Sequence, residues 1–192
     1  MAKATEVEIK FRIGGAAELR RKLARAGFRM VTPRTYEDNQ LYDFPGAVLR
    51  GRGELLRLRQ YGKAWKLTHK AKGNEGRHKS REETETSVED GKALAHILGR
   101  LGLQPSFRYE KYRTEYSDGR GHVVLDETPL GAFGEIEGPA RWIDRTAKTL
   151  GIAAAEYITD SYAQIFFSWK ERSGSAAQNM TFRECGRKPR RS

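Results

Sequence analysis

Charged and hydrophobic residues alternate along "TEVEIKFRI": Glu6, Glu8, Lys10 and Arg12 share one parity, Val7, Ile9, Phe11 and Ile13 the other. Such alternation marks a strand with one wet and one dry face. The arrangement recurs down the chain. Arg57 and Arg59 flank Leu58, and Lys66, Thr68 and Lys70 share a parity. So do Arg81, Glu83 and Glu85, then Lys111, Arg113 and Glu115, while Glu135 and Glu137 bracket Ile136. Six segments therefore offer a charged face.

Between these segments, apolar residues spaced by three and four run into a glycine three times. Leu19, Leu23 and Ala26 precede Gly27; Leu94, Ile97, Leu98 and Leu101 precede Gly102; Ile143, Ala147 and Leu150 precede Gly151. This spacing and stop predict three amphipathic helices, with Pro139 suited to the first turn of the third. "SDGRG", Ser117 to Gly121, reads as the turn of a hairpin joining "RYEKYRTEY" to "HVVLDE". "DNQLYDF", ending at Pro45, is another strand, "DSYAQIFFSWKE" a closing helix, and "AKGNEGRHKS", Ala71 to Ser80, a mobile loop. The predicted order is strand, helix, four strands, helix, three strands and two helices, an α+β chain with mostly antiparallel neighbours.

The helices need an apolar sheet face, which Val7, Ile9, Phe11, Leu56, Leu58, Leu67, Tyr112 and Ile136 supply. If the sheet closes into an eight-stranded antiparallel barrel with the helices outside, the charged face becomes its lumen. Buried unpaired charge is prohibitively costly, so such a lumen must be a wet site for a charged ligand. The basic candidates are Lys10, Arg57, Arg59, Lys66, Lys70, Arg81, Lys111 and Arg113; the acidic ones are Glu6, Glu8, Glu83, Glu85, Asp126, Glu135 and Glu137. Bases alone would suit any polyanion, but interleaved carboxylates repel one unless divalent cations intervene. The predicted ligand is therefore a polyphosphate with Mg²⁺, a hard cation that takes carboxylate, water and phosphate oxygens. The pairs Glu6/Glu8 and Glu135/Glu137 can converge on it if the first and last strands meet.

Length and charge narrow the reading. The 192 residues suit one domain over 1–169, followed by a basic tail over 170–192. The net charge is +11; residues from Lys170 onward hold seven Lys or Arg and two Glu, or +5, leaving +6 for the rest. The tail lacks periodicity and is rich in Ser, Gly and Arg, so it is predicted to be disordered. Nucleic acid is accordingly not the expected partner. The single cysteine, Cys185, rules out an intrachain disulfide and a cysteine-based zinc site. No signal peptide or bilayer-length apolar run is evident, so the expected compartment is the cytoplasm, with no membrane partner; a homodimer is left open. No Walker glycine loop, Ser/His/Asp triad or zinc motif competes. Glu115 and Arg12, at strand ends, read as solvent-exposed, and Trp65, Trp142 and Trp169 as packing residues.

Taken in order, these segments resemble the CYTH domain proteins, or triphosphate tunnel metalloenzymes, which include class IV adenylyl cyclases, thiamine triphosphatases and inorganic triphosphatases. The resemblance spans roughly residues 4 to 168 and rests on "EVEIK", "LRLR", "LTHK", "SREETE", "EKYR", "LDETPLG" and "GEIEG". It implies an antiparallel eight-stranded tunnel and a Mg²⁺- or Mn²⁺-dependent reaction on a triphosphate such as tripolyphosphate, ATP or thiamine triphosphate. By motif, Glu6, Glu8, Glu135 and Glu137, with Asp126, would hold metal. Lys10, Arg57, Arg59, Lys70, Lys111 and Arg113 would grip phosphates, and Glu83 and Glu85 would lie near a metal or pair with a base. Glu6, Glu8, Lys10 and Glu137 are the expected catalytic set. "TDSY", Thr159 to Tyr162, resembles a late motif read as packing. "MAKAT" stands where the best-known bacterial cyclases of this class carry His-Phe, although "LDETPLGAFGEIEG" is similar to sequences called cyclases. Hydrolysis of inorganic triphosphate or a nucleoside triphosphate is expected ahead of cyclisation, and a non-catalytic polyphosphate-binding module behind both.

Overall fold

The alternating segments pair into one closed ladder. The computed structural model describes residues 4–73 and 79–186, and their side chains save those of residues 4–6 and 79. Its strands are β1 (Ala4–Ile13), β2 (Arg29–Asp43), β3 (Leu55–Tyr61), β4 (Ala64–Lys70), β5 (Lys79–Val88), β6 (Gln104–Ser117), β7 (His122–Thr128) and β8 (Gly131–Glu137). They close as β1-β5-β4-β3-β2-β6-β7-β8, every neighbouring pair antiparallel. Closure leaves no sheet edge and sends alternate residues of each strand inward.

Helices cover the outside, so most of the apolar core lies around the barrel. Helices α1 (Ala16–Arg25) and α4 (Ala140–Leu150) bury Leu19, Leu23, Ile143 and Leu150 against Ile9, Phe11, Val123, Leu125 and Ile136. The β8 backbone comes close to the Phe11 ring here: a Cβ on Gly134 would meet it at 2.2 Å, so only glycine fits. Helix α3 (Gly91–Arg100) starts at Asp90, whose carboxylate accepts the Lys92 and Ala93 N–H groups at 2.9 Å. It packs Leu98 beside Tyr42 and Leu58. Pro139 takes the N-cap of α4, one place before the expected first turn.

One expected strand runs longer than foreseen, and one short helix was not foreseen. "DNQLYDF" proves to be the end of the fifteen-residue β2, and a short helix, α2 (Val48–Gly51), follows it. Of the expected loop Ala71 to Ser80, residues 74–78 lie outside the described residues, and Lys79 and Ser80 already belong to β5.

The expected disordered tail is corrected by the structure as far as Gly186. Helix α5 runs from Tyr162 to Ser173, and the segment after it folds back onto β6. Met180 donates its N–H to the Arg108 carbonyl and accepts from the Glu110 N–H, both at 3.0 Å, and its side chain is fully buried beside Ala177, Phe166 and Phe107. The Phe182 N–H reaches the Glu110 carboxylate at 3.0 Å. Backbone pairing and a few well-placed apolar residues order this segment without any periodic pattern.

Candidate active site: a charged tunnel

The inward parity builds a cavity of about 470 Å³ inside the barrel. Among the described residues, its wall carries seven basic side chains, Lys10, Arg57, Arg59, Lys70, Arg81, Lys111 and Arg113, and six acidic ones, Glu8, Glu83, Glu85, Glu115, Glu135 and Glu137. Toward one end the same parity brings Tyr109, Phe107 and Phe133 into an apolar cluster with Tyr162 and Phe166 of α5. Tyr162 belongs to both, so α5 borders the tunnel.

Inside, bases and acids hold one another. Lys70 meets Glu83 at 2.7 Å and Arg59 meets Glu85 at 3.0 Å, while Lys66 and the Thr68 hydroxyl also donate to Glu85. Lys10 lies 3.3 Å from Glu135, donates to the Asp160 carbonyl at 3.2 Å and sits 4.6 Å from the Tyr162 ring centroid. Burial opposes its charge, but Glu135 and Glu8 raise its pKa, so Lys10 stays an ammonium. Glu135 is held well below the usual carboxylate range: burial opposes this, and Arg113, Lys10 and Lys111 outweigh it.

Sequence reasoning missed one fully buried acid. Glu37 is fully buried, with Lys111 at 3.4 Å, Arg59 at 3.8 Å and Arg113 at 4.0 Å, and it accepts from Asn39 at 2.9 Å. Burial alone would raise its pKa, yet Lys111, Arg113, Arg59 and Arg57 hold it at about 2. Tyr109 and Tyr162 were missed as wall residues: the Arg57 guanidinium approaches the Tyr109 hydroxyl at 3.4 Å, and the Tyr162 hydroxyl donates to Asp126 at 2.7 Å.

Three expected placements change. Glu115 lines the cavity instead of facing solvent, and accepts from Tyr61 and Thr32 at 3.0 Å. Asp126 lies behind the wall, fully buried, its oxygens taken by Lys111, Arg113 and Tyr162; it anchors cations. Lys66 is likewise off the cavity, its ammonium on Glu85 and its side chain 37% exposed. Glu6 pairs through its backbone with Arg81, and its side chain lies outside the described residues. Arg12 is exposed, as expected, over the Phe133 ring.

The lumen's donors suit a hard cation. Glu8 stands in register with Glu137, and Lys10 with Glu135, across β1 and β8, so acids from the two strands meet on the tunnel wall. No His or Cys is among the described wall residues, which leaves oxygen donors of the kind Mg²⁺ and Mn²⁺ prefer. Among the described residues, no three His, Cys, Asp or Glu side chains are already gathered around a common metal position.

Residues 4–162 match the CYTH domain family. The chain belongs to that family. A Methanocaldococcus jannaschii protein named "Putative adenylate cyclase MJ0240" is 29% identical over 148 residues, covering 76% of this chain and 83% of its own. Among solved structures, a Vibrio parahaemolyticus protein with the same kind of name superposes with a TM-score of 0.77 at 21% identity, covering 86% of this chain and 99% of its own. A Hippeastrum adenylyl cyclase by name, described as having a dominant triphosphatase activity, does so with a TM-score of 0.60 at 19% identity, covering 85% and 96%. These structural likenesses establish the shared CYTH tunnel fold. Among the described residues, no helix is long and apolar enough to cross a membrane.

Proposed function

We propose that this CYTH protein is a divalent-metal-dependent enzyme that hydrolyses a triphosphate. The observation that carries the reading is the crowding of cations on one cavity wall, where Arg57, Arg59 and Arg81 stand with Lys10, Lys70, Lys111 and Arg113. An arginine fork matches phosphate oxygens. Seven cations around one cavity suit a ligand with several closely spaced negative charges, which a triphosphate is. A pure polyanion-binding module gains nothing from six acids in the same wall.

Glu8, Glu137 and Glu135 would hold Mg²⁺ or Mn²⁺, with Glu6 next along β1 as a further candidate. Bound there, such a cation would neutralise phosphate oxygens and acidify a coordinated water. Arg57, Arg59, Lys70, Lys111 and Arg113 bind the non-bridging oxygens and stabilise charge as the terminal phosphoryl group departs. Glu37 and Asp126 aim Lys111 and Arg113. Lys10, held protonated by Glu135, supplies charge and does not act as a base. In this reading water is the nucleophile and no covalent intermediate forms.

The second reading is an adenylyl cyclase, favoured by the name of the Methanocaldococcus relative. It would use the same clamp, direct the ribose 3′-hydroxyl at the α-phosphorus and release pyrophosphate. The Hippeastrum fold-mate, a cyclase by name with a dominant triphosphatase activity, supports putting hydrolysis first. Incubating the protein with Mg²⁺ or Mn²⁺ and, separately, tripolyphosphate, ATP and thiamine triphosphate, with products resolved by ³¹P NMR, decides between them. Orthophosphate release supports hydrolysis. Cyclic AMP and pyrophosphate from ATP, with the other two intact, overturns it.

A further inference from the structure

The segment between α4 and α5 closes on Lys10 from two sides. The Ile158 N–H donates to the Lys10 carbonyl at 2.7 Å, and the Lys10 ammonium donates to the Asp160 carbonyl at 3.2 Å. Just beyond, Ser161 and Gln164 cap α5: the Gln164 side-chain oxygen accepts the Ser161 N–H at 2.7 Å, and the Ser161 hydroxyl oxygen accepts the Gln164 N–H at 3.3 Å. The first turn of the helix is thereby fixed, and Tyr162 is its first residue.

Tyr162 meets the tunnel with two different groups. Its ring centroid lies 4.6 Å from the Lys10 ammonium and 5.0 Å from the Lys111 ammonium, within reach of a cation–π contact. Its hydroxyl donates to Asp126 at 2.7 Å, and the same carboxylate accepts from Lys111 at 2.8 Å and from the Arg113 Nε at 2.7 Å. One side chain from a helix outside the barrel therefore bears on three basic groups of the wall. Packing alone does not call for this: Phe166 fills the same cluster with a purely apolar ring, fully buried, whereas Tyr162 carries a hydroxyl to a buried carboxylate. A neutral donor occupies part of that carboxylate without adding charge. Deprived of it, Asp126 would have only Lys111 and Arg113 to satisfy it, and would draw both behind the wall.

We propose that Tyr162 is a positioning residue of the phosphate clamp, its ring setting Lys10 and Lys111 and its hydroxyl balancing Asp126 so that Lys111 and Arg113 stay directed at the lumen. The inference rests on the tunnel being the triphosphate site. The sequence shows Tyr162 only at the start of a helix, because its partners lie far off on β1, β6 and β7.

Isothermal titration with tripolyphosphate, in Mg²⁺ and again with chelator, tests it on the wild type, Tyr162→Phe, Tyr162→Leu and the control Phe166→Leu, each first shown to be folded. Tyr162→Phe should bind roughly threefold to tenfold more weakly, the ordinary worth of a hydrogen bond, while Phe166→Leu stays within about twofold. Tyr162→Leu, which also loses both cation–π contacts, should bind about threefold more weakly again. In NMR spectra of lysine-labelled protein, the Lys111 ε-methylene signal, assigned by its loss in Lys111→Met, should move in Tyr162→Phe, where the ring is kept, and stay in place in Phe166→Leu. Wild-type affinity in either Tyr162 variant, losses that Phe166→Leu matches, or an unmoved Lys111 signal in Tyr162→Phe overturns the positioning role and leaves hydrolysis untouched. Binding ranked as expected with no orthophosphate released supports the positioning role and sinks hydrolysis; no binding by the wild type sinks both.

Discussion

Glu8 and Glu137 stand opposite each other across the β1–β8 ladder, both on the tunnel wall. Like charges at facing positions of neighbouring strands destabilise a sheet by up to about 1 kcal/mol, unless a cation lies between them. Millimolar Mg²⁺ or Mn²⁺ should therefore raise the melting temperature of the wild type by several degrees. The Glu8→Gln/Glu137→Gln double variant should melt at or above the metal-free wild type and show no metal response. A full metal shift in the double variant would move the cation elsewhere.

Glu37, on β2, links the cations of β3 and β6. Replacing it with Gln leaves Lys111, Arg59 and Arg113 short of a counter-charge and should cost about 3 kcal/mol in chemical denaturation, as breaking a buried ion pair does. The acid limb of stability follows from the same group. Its folded pKa of about 2 lies below the ordinary 4.5, so its contribution is complete above about pH 4.5 and disappears as pH falls toward 2. Glu37→Gln should flatten stability over that window; an unchanged acid limb would mean other carboxylates govern it.

Arg57 faces the lumen with one nitrogen on Thr68, one on Tyr109 and its Nε unpaired. Removing a charged phosphate donor should weaken triphosphate binding roughly tenfold to a hundredfold, from the ordinary worth of a charge-assisted hydrogen bond. Arg57→Ala should raise KM accordingly and make binding less sensitive to salt. Unchanged KM and salt dependence would place the phosphates elsewhere.

Met180 is the anchor of the carboxy-terminal segment. Met180→Ala should cost about 2–5 kcal/mol, the range for emptying a buried methionine site, and ending the chain at Ser173 should cost at least as much. Wild-type melting in both variants would mean that the segment does not contribute to the fold.

The strand faces were legible because a barrel forces a period of two on every strand, and Glu8, Arg57, Lys111 and Glu135 fell on the inward parity. Glu37 escaped because Glu37, Asp38, Asn39 and Gln40 are polar on both parities, so alternation could not tell in from out there. Only the register with β6, which puts Glu37 beside Lys111, reveals it. Lys66 and Glu115 exchanged their expected places because parity fixes a side chain's face but not its depth along the barrel. The tail escaped because its order comes from a few scattered buried residues, Met180 foremost, and pairing to a distant strand, neither of which leaves a periodic trace.

Phosphate release is the most direct test of a metal-assisted triphosphate tunnel. Orthophosphate should be followed for the wild type, Glu137→Gln and Arg113→Ala with ATP, thiamine triphosphate and tripolyphosphate, in Mg²⁺ or Mn²⁺ and again with chelator, each protein first shown to be folded. The account predicts release by the wild type that chelator abolishes, and a loss of a hundredfold or more in both variants. Metal-independent release, wild-type rates in the two variants, or no release from any of the three triphosphates would contradict it.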